Sequence, residues 1–163
     1  MKLVLFIALF ISAPLWAQDR IGIKGVTLGQ TEAEMPTELA ATCRPDLKGG
    51  SVCTLKFTGL ATQNSPLATI VANPVKLWRV HMLGTPSVVM SIYAEVAGGN
   101  DREVYRAVAE KFDKECKRPS CSFFVESDHI VVGTILGETL IIITSEKWRV
   151  LKAAEAAAAR KEL

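Results

Sequence analysis

The sequence predicts an α+β fold, with an antiparallel sheet of about six strands, a short N-terminal helix, a central amphipathic helix and an Ala-rich C-terminal helix. Three observations lead to it. Two runs, VKLWRVHML (75–83) and SVVMSIYAEV (87–96), alternate in hydropathy on either side of a Gly-Thr-Pro turn, the pattern of an antiparallel hairpin. DREVYRAVAEKFDKEC (101–116) sets Val104, Val108, Phe112 and Cys116 four apart, with Tyr105 and Ala109 widening the apolar stripe. The last third holds three further strand-like runs separated by turn residues, which read as a meander.

The elements follow in order. Met1-Lys2, the apolar run LVLFIALFI and the small residues before Gln18 have the three-part layout of a secretory signal peptide, with cleavage expected after Ala17. The apolar run is too short to span a bilayer as a mature helix. The expected organisation is therefore a signal peptide over 1–17, one α+β domain over 18–152, and a projecting helix end over 153–163. DRIGIKGVTLG (19–29) reads as a short strand with glycines permitting tight backbone. Thr31 with Glu34 three residues on forms a capping box, and Pro36 makes the helix that follows, over about 32–42, short or kinked. RPDLKGGS (44–51) reads as a loop, VCTLKFT (52–58) as a strand, TQNSP (62–66) as a turn, and LATIVA (67–72) as a short β-branched run broken by Asn73-Pro74. Asn100 caps the central helix, with Glu103 at its third position. SFFVE (122–126), HIVVGTIL (129–136) and TLIIIT (139–144) form the meander, joined by a turn at Ser127-Asp128 and a type II′ turn led by Gly137. Ser145 caps EKWRVLKAAEAAAARKEL, where the alanines favour helix and only Trp148, Val150 and Leu151 are bulky enough to anchor it.

The chemistry-bearing residues are few. Four cysteines, Cys43, Cys53, Cys116 and Cys121, all fall after the expected cleavage point. An even count in an exported chain argues for two disulfides. Of the three possible pairings, Cys43–Cys53 and Cys116–Cys121 are favoured, because each brackets a short polar segment. Oxidised cysteines leave only His81 and His129 as nitrogen ligands, so no metal site and no cofactor are expected. CKRPSC (116–121) is not a redox motif: four residues separate its cysteines, and a helix C-terminus ahead of it would raise a thiol pKa. It reads first as a staple between the helix end and the first meander strand, with Lys117, Arg118, Pro119 and Ser120 as a candidate binding loop.

Other motifs yield structural readings. Ser127-Asp128-His129 has the residue types of a hydrolase triad, but adjacent residues cannot converge as one, and the run reads as a hairpin turn. Gly22, Gly25 and Gly29 do not make a dinucleotide fingerprint. An enzyme would require a pocket gathering a polar cluster such as His81, Tyr93 and an acid. Trp78 shares a face with Val80 and Met82 and reads as core. With 19 basic and 17 acidic residues and no basic block, nothing points to nucleic acid.

IKGVTLGQTEAEM (23–35) resembles the opening of small bacterial periplasmic α+β domains of the outer-membrane-assembly-lipoprotein and β-lactamase-inhibitory-protein type, and VYRAVAEKF (104–112) with the basic residues and Pro119 beyond it resembles the second helix and its exit in related uncharacterised exported proteins. That resemblance implies a binding or scaffolding role without catalytic residues. CKRPSC is also similar to the disulfide-closed loop of the proteinaceous inhibitor of vertebrate lysozyme, with its proline displaced by one place and Ser120 where that family has histidine. In that family the loop enters the lysozyme cleft. The expectation is thus an exported, periplasmic or secreted bacterial binding module that is no enzyme, keeps no membrane anchor after cleavage and meets a protein partner. The alternative is an inhibitor or immunity protein that blocks a cell-wall-degrading enzyme or toxin through 116–121.

Overall fold

The computed structural model describes residues 21–46, 49–58, 64–98 and 100–160. The expected signal peptide, part of the TQNSP turn and the last three residues lie outside them. Among the described residues ten strands and three α-helices follow one another: β1 (Gly22–Ile23), β2 (Val26–Thr27), a 3-10 turn (Glu32–Glu34), α1 (Thr37–Ala40), β3 (Cys43–Asp46), β4 (Gly50–Lys56), β5 (Thr69–Ile70), β6 (Asn73–Leu83), β7 (Val88–Val96), α2 (Asp101–Phe112), β8 (Ser120–Val125), β9 (Asp128–Ile135), β10 (Glu138–Thr144) and α3 (Glu146–Ala159).

The fold class is the expected one, and the strand count is not. The main sheet has eight strands rather than about six, in the order β3-β4-β6-β7-β10-β9-β8 with β5 on β6, and every pairing is antiparallel. The excess has local causes. The segment read as a loop over 44–51 supplies β3, which pairs back on β4 with Cys43 opposite Cys53. Apart from that sheet, the opening run, read as one short strand, folds on itself as the β1–β2 hairpin, turning at Lys24-Gly25 with both residues at positive φ. β10 docks between β7 and β9, so the meander and the central hairpin become one sheet.

Pro36 splits the first helix as its position dictates. The Glu34 carboxylate accepts the Thr31 N–H at 2.7 Å, closing a 3-10 turn, and α1 begins after the proline. The central helix is shorter than expected. It ends at Phe112 because Asp113 turns left-handed at φ 49°, so Cys116 lies in the segment beyond it. The last meander turn is Leu136-Gly137 with φ of 51° and 81°, which makes it type I′ rather than II′.

One face of the sheet carries the core. Cys53, Trp78, Val80, Ile92, Ala94, Ile130, Val132, Ile141 and Ile143 point to it, and Val104, Tyr105 and Val108 of α2 cover it with Leu39 of α1 and Met35. Trp78 is fully buried and donates its indole N–H to the Leu67 carbonyl at 2.8 Å, which satisfies its single polar atom. The opposite face bears Leu77, Tyr93, Leu140, Ile142 and Val131, all half-buried. The first turns of α3 pack against one end of that face. Ser145 caps the helix through the Trp148 N–H, Trp148 lies against His81 at 5.0 Å, and Arg149 lies over Phe124 at 4.8 Å. From Ala153 the helix is almost wholly exposed, as its alanines foretell.

Candidate functional site

The two disulfides are Cys43–Cys53 and Cys116–Cys121, the favoured pairing. The first ties β3 to β4 at directly opposed positions. The second closes the loop that carries Lys117, Arg118, Pro119 and Ser120, all four exposed. Cys116 is buried and Cys121 half-buried against the core, so the bridge faces inward and the four intervening residues face out.

That loop is braced from two sides. The Pro119 carbonyl accepts the Tyr105 hydroxyl at 2.6 Å and the Thr134 N–H at 3.0 Å. Tyr105 lies buried in α2 and also meets the Thr134 hydroxyl at 3.2 Å, so helix, loop and β9 converge on one oxygen. Arg118 adds an ion pair with Asp101, in the first turn of α2, at 2.7 Å. Lys117 pairs with the adjacent Glu115, and that hydrogen bond raises the lysine above its ordinary pKa while lowering the glutamate. Both side chains stand mostly in solvent, where such a pair contributes little to stability.

The register places the β9–β10 hairpin tip beside the loop, because Ser120 pairs with Gly133 and Pro119 bonds Thr134, the residue before Ile135. Ile135 is 59% exposed and Leu136 fully exposed. Leu136 is also at positive φ, a conformation that costs a γ-branched residue about 1–2 kcal/mol. The tip rests on the backbone at Gly98, where a Cβ would collide with the Gly137 carbonyl. Beside it Glu138 is held below the ordinary carboxyl pKa, first by its hydrogen bond with Lys76 and then by one with Glu95. The same contact with Glu138 raises Glu95. One end of the molecule thus presents a cationic loop and two bare aliphatic side chains.

On the flank of the loop a groove of about 460 Å³ runs between it and α2. α2 contributes Arg102, Tyr105, Arg106 and Ala109 to its lining, at helical spacing, and the segment beyond contributes Glu115, Cys116, Lys117 and Arg118.

Of the residues named for a catalytic cluster, Tyr93 meets an acid, Glu95, and His81 packs on an aromatic ring. The His81 ring packs on Trp148, and the Tyr93 hydroxyl reaches Glu95 at 3.5 Å. Asp128 accepts the Glu146 N–H, and His129 stacks on Phe124 at 4.6 Å and meets the Ser122 hydroxyl at 2.6 Å. Among the described residues no cluster of His, Cys, Asp and Glu could hold a metal ion, and no helix is long and apolar enough to cross a membrane.

Sequence reasoning singled out the loop but missed Ile135, Leu136 and Tyr105 as its neighbours. A signal for the tip was present: Ile-Leu-Gly stands where a two-residue hairpin favours Asn-Gly or Asp-Gly. Tyr105 carried none beyond its place on the apolar stripe. Comparison with protein-family models, curated proteins and solved structures finds no match for this chain.

Proposed function

We propose that the protein is a small exported binding module, without chemistry of its own, that engages a protein partner through the end formed by residues 117–120 and the 135–137 tip. The observation that carries this reading is Leu136, an aliphatic side chain wholly in solvent at a backbone conformation unfavourable to it. Neither folding nor solubility gains from that choice, so it points to function at the tip. The bracing of Pro119 supports the same reading, since a loop already held in one shape loses little entropy on binding. The two disulfides fit an oxidising compartment such as the periplasm, in keeping with the signal-peptide layout of the first 17 residues.

A second reading rests on the loop's projection beside an apolar tip. A braced loop of this kind fits a cleft, as an inhibitor or immunity protein that blocks a cell-wall-degrading enzyme or toxin would require. The experiment is a crosslinking pull-down from periplasmic extract, run in parallel with a lysozyme-inhibition titration. The baits are the protein, a Lys117→Ala/Arg118→Ala/Pro119→Ala variant, and Leu136→Asn. A partner lost with both variants supports the reading, and inhibition lost with them selects the inhibitor. A partner kept equally by all three baits sends the binding surface to the open sheet face and α3.

A further inference from the structure

We infer that the groove between α2 and the 116–121 loop is a site for an extended, acidic segment of a partner protein, with an apolar side chain on its floor and carboxylates on its walls. The inference rests on the reading that this end of the molecule binds a protein, and it adds the partner's chemistry.

The charge of the lining is one-sided. Arg102, Arg106, Lys117 and Arg118 contribute cations and Glu115 alone an acid. Nearby acids offset this only in part. Asp101 holds Arg118, Glu115 pairs with Lys117, and Glu110 stands 3.8 Å from Arg106, the last two pairs being exposed on both sides. Arg102 has no ion-pair partner among the described residues and is exposed. Exposed pairs exchange readily for a ligand carboxylate, because water and salt already weaken them. An arginine also offers a planar fork that matches a carboxylate with two hydrogen bonds.

The floor is different in kind. Tyr105 and Cys116 are buried and Ala109 is half-buried, so between the cationic walls lies an apolar strip with its one hydroxyl already engaged by Pro119. A small apolar side chain can cover that strip without stranding a polar group. The groove lies along the helix flank, which suits an extended chain. The spacing of Arg102 and Arg106, one helical turn apart, suits carboxylates on successive outward positions of a strand-like segment.

The test is a fluorescence-anisotropy titration of the purified protein with a short fluorescein-labelled peptide of glutamates around a central leucine. Three arms accompany it: the same peptide with glutamines for glutamates, phosphatidylglycerol vesicles, and repetition at raised salt. Arg102→Glu/Arg106→Glu and the milder Arg102→Ala/Arg106→Ala are compared with Lys56→Glu/Lys147→Glu, two exposed cations outside the groove, after circular dichroism shows each variant folded. The acidic peptide should bind, the glutamine peptide should not, and the groove variants should weaken binding about tenfold or more. The control variant should leave it unchanged. Equal binding of both peptides, an equal loss in the control variant, or binding of vesicles but not peptide overturns the inference. A partner captured through Lys117–Pro119 and Leu136 with no peptide binding removes the groove and keeps the proposed function. Peptide binding through Arg102 and Arg106 with no loop-dependent partner does the reverse.

Discussion

Leu136 puts the tension between stability and use on a single residue. A type I′ turn requires positive φ at both central positions; Gly137 meets this freely and Leu136 does not. Leu136→Asn should therefore raise the melting temperature by about 3 °C, as relief of left-handed strain predicts for a chain of this size. The same change should weaken partner capture. A thermal melt paired with the pull-down reads both effects, and a fall in melting temperature would refute the strain argument. Val71-Ala72, between β5 and β6, makes a second such turn with φ of 49° and 61°. Val71 lines a small pocket with Val108, so packing against α2 holds a β-branched residue in a place that local preference would give to Asn or Gly.

At the scale of elements, the loop and α3 make opposite predictions. The loop is tied to the fold by its disulfide and by the buried Tyr105 hydroxyl. Cys116→Ser should cost about 2–5 kcal/mol, as removal of a native bridge from a small exported domain does. Tyr105→Phe should cost about 0.5–1.5 kcal/mol, because it removes one hydrogen bond while the Pro119 carbonyl keeps the Thr134 N–H. Urea denaturation measures both, and an unchanged midpoint for Cys116→Ser would remove the staple role. The first turns of α3 meet the sheet through Trp148 and Arg149, and the residues from Ala153 on are almost all exposed. Truncation after Ala153 should leave stability within about 0.5 kcal/mol of the intact chain. Trp148→Ala should instead loosen the helix from His81, seen as faster amide exchange over 146–152.

For the whole molecule, pH acts through the histidines. His81 titrates below its ordinary value of 6.5, first because burial under Trp148 disfavours the cation, then because Arg79 and Lys152 repel it, with Asp46 opposing them. His129 shifts the same way, by burial first and then by Arg149. The unfolded chain therefore takes up protons that the folded chain resists. This contribution to stability is complete above the ordinary histidine value of 6.5 and is lost as pH falls through the lowered native values. Melting temperature should decline on acidification below that value, and His81→Phe should flatten the decline by keeping the ring on Trp148 without its charge. An unaltered slope in His81→Phe would assign the effect elsewhere.

Much of this architecture is written in short-range pattern. Alternation in 75–83 and 87–96 defines β6 and β7, the Val104-Val108 stripe defines α2, Thr31 with Glu34 and Pro36 define the broken first helix, and Ser145 starts α3. Each depends on neighbours a few residues away, which is the range over which side-chain periodicity, caps and proline act. The disulfide pairing was legible for the same reason, since each bridge spans a short segment. Hydropathy pattern misled at the end of α2 and in β3, where backbone conformation and strand pairing decided the outcome. Positive φ at Asp113 released Cys116 from the helix, and β3 formed in a polar stretch because β4 offered it a paired edge. The candidate site belongs to that second kind. Lys117, Arg118 and Pro119 could be picked out by eye, but their neighbours could not. Only the docking of β10 between β7 and β9, and of Tyr105 under Pro119, brings loop, hairpin tip and α2 to one end. Sheet register and helix packing set that arrangement between segments far apart in the chain, through contacts that no local window contains.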